Sequence, residues 1–299
     1  MPSRVYRSRD QLDFAIEDLP LVDLPHSVLL TSPDFFEVSY VINPHMEGHV
    51  GSVDQDTAET QWNALRAAYE RLGFDVHVLD GRRGLPDMVF CANQTLPFLS
   101  PHDGEKSVML SRMHAAERRP EIGHYQDFFA ARGYRTIPLE MDGLSFEGMG
   151  DALWHGGRLL LWGGHGFRTD LAAYERLSDV FDVPVCVLSL EDPDFYHLDT
   201  CLSVLDENTA LVFPGAFRDE GMELIEALFS TVIRAPEAEA RELFACNAHC
   251  PDRRHVLIQR GCKETLARLR EAGFVPVELE TGEFLKAGGS VYCMKQMFW

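Results

Sequence analysis

The chain has 299 residues, 45% of them hydrophobic and 25% charged, the composition of a soluble globular protein long enough to bury a large core. Its formal net charge of −20 leaves no basic stripe to neutralise phosphates, which argues against a nucleic-acid partner, whereas an acidic surface can concentrate a small cationic substrate. The longest apolar runs fall far short of the ~20 residues of a membrane helix, and Met-Pro-Ser-Arg-Val-Tyr at the N-terminus lacks the apolar stretch of a signal peptide. The expected setting is therefore the cytosol, away from a membrane. Seven cysteines, an odd and scattered set, predict free thiols in a reducing compartment. Cys246-Asn-Ala-His-Cys250, with His255 nearby, matches no common zinc spacing and no second cysteine pair follows, so no metal is expected.

In chain order, Val41-Ile-Asn43-Pro-His-Met46 first sets polar groups inside an apolar stretch. Residues 67–79 then read as a helix end, a glycine cap and a short alternating strand. Leu85-Pro-Asp87-Met-Val-Phe-Cys-Ala-Asn93 follows as a second polar interruption. The helix-then-strand form returns at 128–139, in weaker form at 174–190 and 224–235, and again at 269–279. After these come Phe146-Glu147-Gly-Met-Gly-Asp151, Tyr196-His197-Leu-Asp199-Thr200, Leu243-Phe-Ala-Cys-Asn247 and Gly288-Gly-Ser-Val-Tyr-Cys293. Five units recurring at roughly 40 to 60 residues predict a modular α/β architecture in a single domain, 1–299, with no Gly/Ser/Pro linker between halves. If the modules ring a common axis, the polar clusters meet; an ordinary doubly wound sheet is the alternative. Leu161-Trp-Gly-Gly-His-Gly-Phe has the wrong spacing for a phosphate loop or a dinucleotide fingerprint.

Cys293, His197 and Glu147 supply the thiol, imidazole and carboxylate of a cysteine-nucleophile enzyme. Taken singly, each has a bland explanation: a buried filler thiol, a satisfied core histidine, a carboxylate capping a glycine turn. Their order is informative. Pro-Asp-Met-Val-Phe, Phe-Glu-Gly-Met-Gly-Asp, Gly-Phe-Arg-Thr, His-Leu-Asp-Thr and Gly-Gly-Ser-Val-Tyr-Cys resemble, in sequence and succession, the motifs of the guanidine-modifying enzymes, over about Ser27 to Lys295. That superfamily includes arginine deiminase, dimethylarginine dimethylaminohydrolase, amidinotransferases and arginine dihydrolase.

The resemblance implies a pseudo-fivefold α/β propeller of ββαβ modules. It implies Cys293 as nucleophile, His197 as general acid and then base, and Glu147 as the group orienting that imidazole and gripping a guanidinium. It further implies Asp87 and Asp199 as guanidinium contacts, and Arg112 and Arg168 as ligands of a substrate α-carboxylate. No cofactor is implied, since thiolate and imidazole supply the chemistry. Asn93 stands where deiminases and dimethylaminohydrolases carry an acidic residue, and Ala92 replaces a charged one. An amide donates as well as accepts, so Asn93 can hold a neutral ureido group. With Asn43 it resembles the paired asparagines of arginine dihydrolases, whose products are ornithine, carbon dioxide and two ammonia molecules. Dihydrolase activity is the first expectation; dimethylarginine hydrolysis, deimination stopping at citrulline, and non-catalytic arginine binding are the alternatives. The partner expected is a small molecule, and the sequence sets no oligomeric state.

Overall fold

The computed structural model describes residues 4–139 and 143–299. Each of the five helix-then-strand units is present, and each closes a βαβ connection. Ser27–Thr31 runs parallel to Asp75–Leu79 through the helix Gln55–Arg71. Lys106–Leu110 and Arg135–Pro138 are joined by Ile122–Ala130, Leu161–His165 and Val185–Ser189 by Leu171–Phe181. Thr209–Val212 and Thr231–Arg234 are joined by Asp219–Leu228, and His255–Gln259 and Val275–Leu279 by Lys263–Glu271. Parallel neighbours cannot be linked by a tight turn, so a covering helix between them is the expected solution.

The first helix shows why these residues choose their elements. Asp54 caps it by accepting from the Thr57 amide at 2.8 Å, and Ala58, Trp62, Leu65, Ala68 and Tyr69 form one buried stripe at helical spacing. Gly73, Gly133 and Gly273, read as helix ends, all take positive φ, and Asp182 adopts the same left-handed cap in the third unit.

Each parallel pair carries a further antiparallel strand on its inner side. Thr95–Leu99, Ala152–Trp154 and Leu202–Val204 serve the second, third and fourth sheets, while in the fifth a single bridge from His249 to Leu257 takes that place. The first sheet receives its inner strand from far along the chain, Gln296–Phe298 against Ser27–Thr31. Val5–Tyr6 adds a parallel edge to the third. Among the described residues the fold is thus α/β with five separate sheets, four of them mixed and the fifth a parallel pair. Central strands are apolar and buried through most of their length, as in Val28-Leu29-Leu30 and Val256-Leu257-Ile258, whereas outer strands such as Asp75–Leu79 are partly exposed. No helix among the described residues is long and apolar enough to cross a membrane.

Candidate active site

One polar residue stands shortly before each inner strand or bridge: Asn93, Glu147, His197, Asn247 and Cys293. Hydrogen bonds stitch these segments into a closed circuit. The Met149 amide donates to Ala92 O at 2.8 Å, the Leu198 amide to Asp151 Oδ1 at 3.0 Å, and Asn247 Nδ2 to Asp199 O at 2.9 Å. The Tyr292 amide donates to Asn247 O, and the Ala92 amide to Cys293 O, both at 3.1 Å. The motif glycines make this approach feasible. Gly148 sits at φ +50°, where a Cβ would meet the Thr95 carbonyl at 2.6 Å; a Cβ on Gly150 would lie 2.2 Å from Asn93 Nδ2.

Behind His197 the charged groups are engaged with one another. Its Nε2 lies 2.7 Å from Glu147 Oε2, which also accepts from Arg168 Nη1 at 3.3 Å, while Glu147 Oε1 accepts the His114 amide at 2.9 Å. Burial pushes the Glu147 carboxyl up, but the His197 hydrogen bond and the charges of His197, Arg168 and Arg118 together hold it well below the usual range. Arg168 donates to Ile42 O at 2.6 Å and stacks 4.9 Å from the Tyr196 ring centre. Asp151 accepts from the Thr169 hydroxyl at 2.7 Å, and burial raises its carboxyl to about 7.

The thiol is set differently. Cys293 Sγ receives Asn247 Nδ2 at 3.1 Å and faces Asp199 Oδ2 at 3.1 Å as donor; Asn247 Oδ1 gathers the amides of Ser290, Tyr292 and Cys293. Burial, with Asp199 adding to it, pushes the thiol well above its ordinary value, so without a cationic partner it stays protonated. Burial likewise raises Asp199 to about 7.

A pocket opens over the thiol, lined by Asn43, Asp87, Phe90, Asn93, Arg118, Arg168, Tyr196, His197 and Cys293 among others. Its cavity volume is only about 10 Å³, hardly one water, so a substrate must displace part of the wall. Two lining groups are left unsatisfied: Asp87 Oδ1, an acceptor, and Asn93 Nδ2, a donor. A buried polar atom without a partner costs about 1–3 kcal/mol, a cost a bound ligand can remove. The asparagine's orientation follows from Arg118, whose Nη1 donates to Asn93 Oδ1 at 3.0 Å; the reversed amide would set two donors against each other. Arg118 also donates to the carbonyls of Asp87 and Phe90 and pairs with Glu121 at 3.1 Å, both partners being almost fully buried. Tyr40 donates to Asp87 Oδ2 at 2.8 Å, and burial raises the Asp87 carboxyl against the opposing charge of Arg118.

The structure thus brings Cys293, His197, Asn43, Asp87, Asn93 and Arg168 to one pocket, with Glu147 directly behind the imidazole. Asp199, expected at the guanidinium, lies against the sulfur and does not line the pocket. Arg112 is placed elsewhere: its side chain is exposed and off the pocket, while its backbone pairs with Phe146 beside Glu147. Asn43 is held by its own loop, with Oδ1 accepting the His45 amide and Nδ2 donating to Ala287 O, both at 3.0 Å. Arg118, Tyr40 and Tyr196 were not anticipated. Asn247 had a signal, the polar interruption at Leu243–Asn247, without a role attached to it. Among the described residues no cluster of three His, Cys, Asp or Glu side chains could hold a metal ion, and all seven cysteines are free and buried.

The family described as N,N-dimethylarginine dimethylhydrolase, eukaryotic, matches residues 44–298. The chain belongs to this family. It therefore falls in the guanidine-modifying superfamily that its motifs resemble, among hydrolases of guanidino carbon–nitrogen bonds. It is 39% identical to the N(G),N(G)-dimethylarginine dimethylaminohydrolase of Mycobacterium tuberculosis, over 88% of this chain and 83% of that protein. It is 37% identical to a bifunctional arginine dihydrolase/ornithine cyclodeaminase of Nostoc sp., over 89% of this chain and only 37% of that longer protein. Among solved structures, the substrate-bound N-terminal domain of a cyanobacterial arginine dihydrolase superposes with a TM-score of 0.84 at 34% identity, covering 92% of this chain and 98% of that domain.

Proposed function

We propose that this family member is an arginine dihydrolase, converting arginine and two waters to ornithine, carbon dioxide and two ammonia molecules. The observation that carries this reading is the buried, unpartnered Nδ2 of the pocket-lining Asn93, whose Oδ1 is taken by Arg118. A guanidinium offers only donors, so the donor has no use for arginine itself. The ureido oxygen of citrulline is an acceptor and suits it. Asp87 Oδ1 supplies the complementary acceptor for substrate N–H groups.

In the first half, Cys293 Sγ attacks the guanidinium carbon, His197 protonates departing ammonia, and a covalent thiouronium remains. His197 then takes a proton from water, which attacks the thiouronium and frees citrulline. Glu147 fixes the imidazole; Arg168 anchors Glu147 and, with Asn43, borders the pocket. Citrulline then passes through the same thiol a second time. A small cationic substrate and no cofactor are what this chemistry needs.

Hydrolysis of methylated arginine is the second reading, favoured by the matching family and by the 39% identical mycobacterial relative. The hydrogen-bond circuit joining Asn93, Glu147, His197, Asn247 and Cys293 segments supports a single domain in which five modules ring one axis as a propeller. The unpaired cysteines support a cytosolic setting.

Incubation with L-arginine, L-citrulline or dimethylarginine, with quantification of ornithine, citrulline, dimethylamine and ammonia, decides among these. Two ammonia per ornithine from arginine is the expected result. Citrulline that accumulates and is never consumed would refute the dihydrolase, and dimethylamine release in its place would establish the second reading. Asn93→Asp, which removes the donor, is expected to make citrulline accumulate; unchanged product ratios would remove the account of the second step.

A further inference from the structure

Lys295 is completely buried, and its Nζ has no hydrogen-bond partner. Its close neighbour is the face of Tyr292, with Nζ 3.1 Å from the ring centre. A lone ammonium in such a place is costly and calls for a reason. The titratable groups whose fields reach it are Asp199, Cys91, Cys293 and His249. Asp199 also feels Arg118 and the Asn247 amide, and its Oδ1 is a second buried atom without a partner.

The segment carrying these residues divides two cavities. Cys293 lines the narrow pocket, whereas Tyr292 and Lys295 line a wider one of about 620 Å³, together with Met149, His249 and Trp299. Asp199 Oδ2 is the thiol's acceptor, and His197 is committed to Glu147. The sulfur therefore sheds its proton through Asp199, and that proton needs an outlet.

We infer that Lys295 provides it: as a guanidinium engages the thiol, the proton passes from Cys293 Sγ to Asp199 Oδ2, then from Asp199 Oδ1 through a water to the lysine amine, and leaves by the wider cavity. The S–H bond breaks as the sulfur–carbon bond forms, and the amine becomes an ammonium until solvent takes its proton. The leaving ammonia draws its proton separately, from His197. Burial lowers the Lys295 amine to about 7 and raises the Asp199 carboxyl, so neither group is held firmly in its charged form. The placement also puts a positive charge near the nascent thiolate, on the side away from the narrow pocket.

This inference rests on the hydrolase reading and is separable from it. In Lys295→Met, kcat/KM for arginine at pH 7 is expected to fall on the order of 10²-fold with KM little changed, and the acidic limb of the pH profile to move upward. In Lys295→Ala, propylamine entering through the wider cavity is expected to restore rate. A Lys295→Met variant that is as active as wild type with the same pH profile would overturn the relay alone, whereas a wild type inert toward all three substrates would overturn the hydrolase. A measurement on Lys295 itself covers the case of a misfolded variant. With ¹³C at lysine Cε, the chain gives four lysine signals. One is expected to titrate near 7, and in Cys293→Ser to shift when L-arginine binds. Four ordinary lysine titrations, indifferent to arginine, would refute the proposal.

Discussion

The two halves of the site are built in opposite ways. Around His197, the side chains of Glu147, Asp151, Thr169 and Arg168 all have hydrogen-bond partners. Around Cys293, the Asp87, Asn93, Asp199 and Lys295 side chains each keep a buried atom without a partner. The acid–base half is preorganised and can hold its geometry through successive steps. The thiol half is unfinished: on the proposed function, arginine engages Asp87 Oδ1 and favours the thiolate, and citrulline later takes the Asn93 donor. The substrate thereby becomes part of the machinery that attacks it, which restrains an otherwise reactive sulfur.

Removing the sulfur is the most drastic test. Cys293→Ser is expected to lower turnover at least ~10³-fold while arginine still binds by calorimetry, since the pocket groups are untouched. Turnover surviving in that variant would remove the nucleophile assignment. Disturbing the complete half comes next. Glu147→Gln keeps the shape but loses the charge facing His197 Nε2, and kcat is expected to drop about 10² to 10³-fold. A kcat within about threefold of wild type would show that the imidazole needs no orienting carboxylate. The mildest change is to the unfinished half. Tyr40→Phe deletes the hydroxyl that fixes Asp87, about 1 kcal/mol, and is expected to raise KM about fivefold with kcat nearly unchanged. A fall in kcat instead would mean that Asp87 acts on the transition state.

The helix-then-strand units were legible because each ends in a local signal, a cap followed by alternation. The site residues were legible because Asp87, Asn93, Glu147, His197 and Cys293 interrupt apolar sequence, where a polar group needs a purpose. Arg118 escaped for the converse reason: in Ala-Glu-Arg-Arg-Pro-Glu it looks like one charge among several on a solvated surface, and only tertiary packing buries it between Glu121 and Asn93. Tyr40 is likewise defined by a partner 47 residues away. Asp199 had the correct neighbourhood but a different contact, because sequence cannot tell which side of a sulfur a carboxylate occupies. The motif around Arg112 could not say which way its side chain turns, and here that is outward.

The inner strand of the first sheet, residues 296–298 against 27–31, has a consequence for the order of folding. Apart from the Val5–Tyr6 edge of the third sheet, the other sheets assemble from neighbouring sequence, but this pairing must close a loop spanning nearly the whole chain, an entropic cost that delays it. Cys293 arrives with that strand. On the proposed function, a partly folded chain can already carry the residues that grip a guanidinium and yet lack its nucleophile, so catalytic competence waits for this pairing.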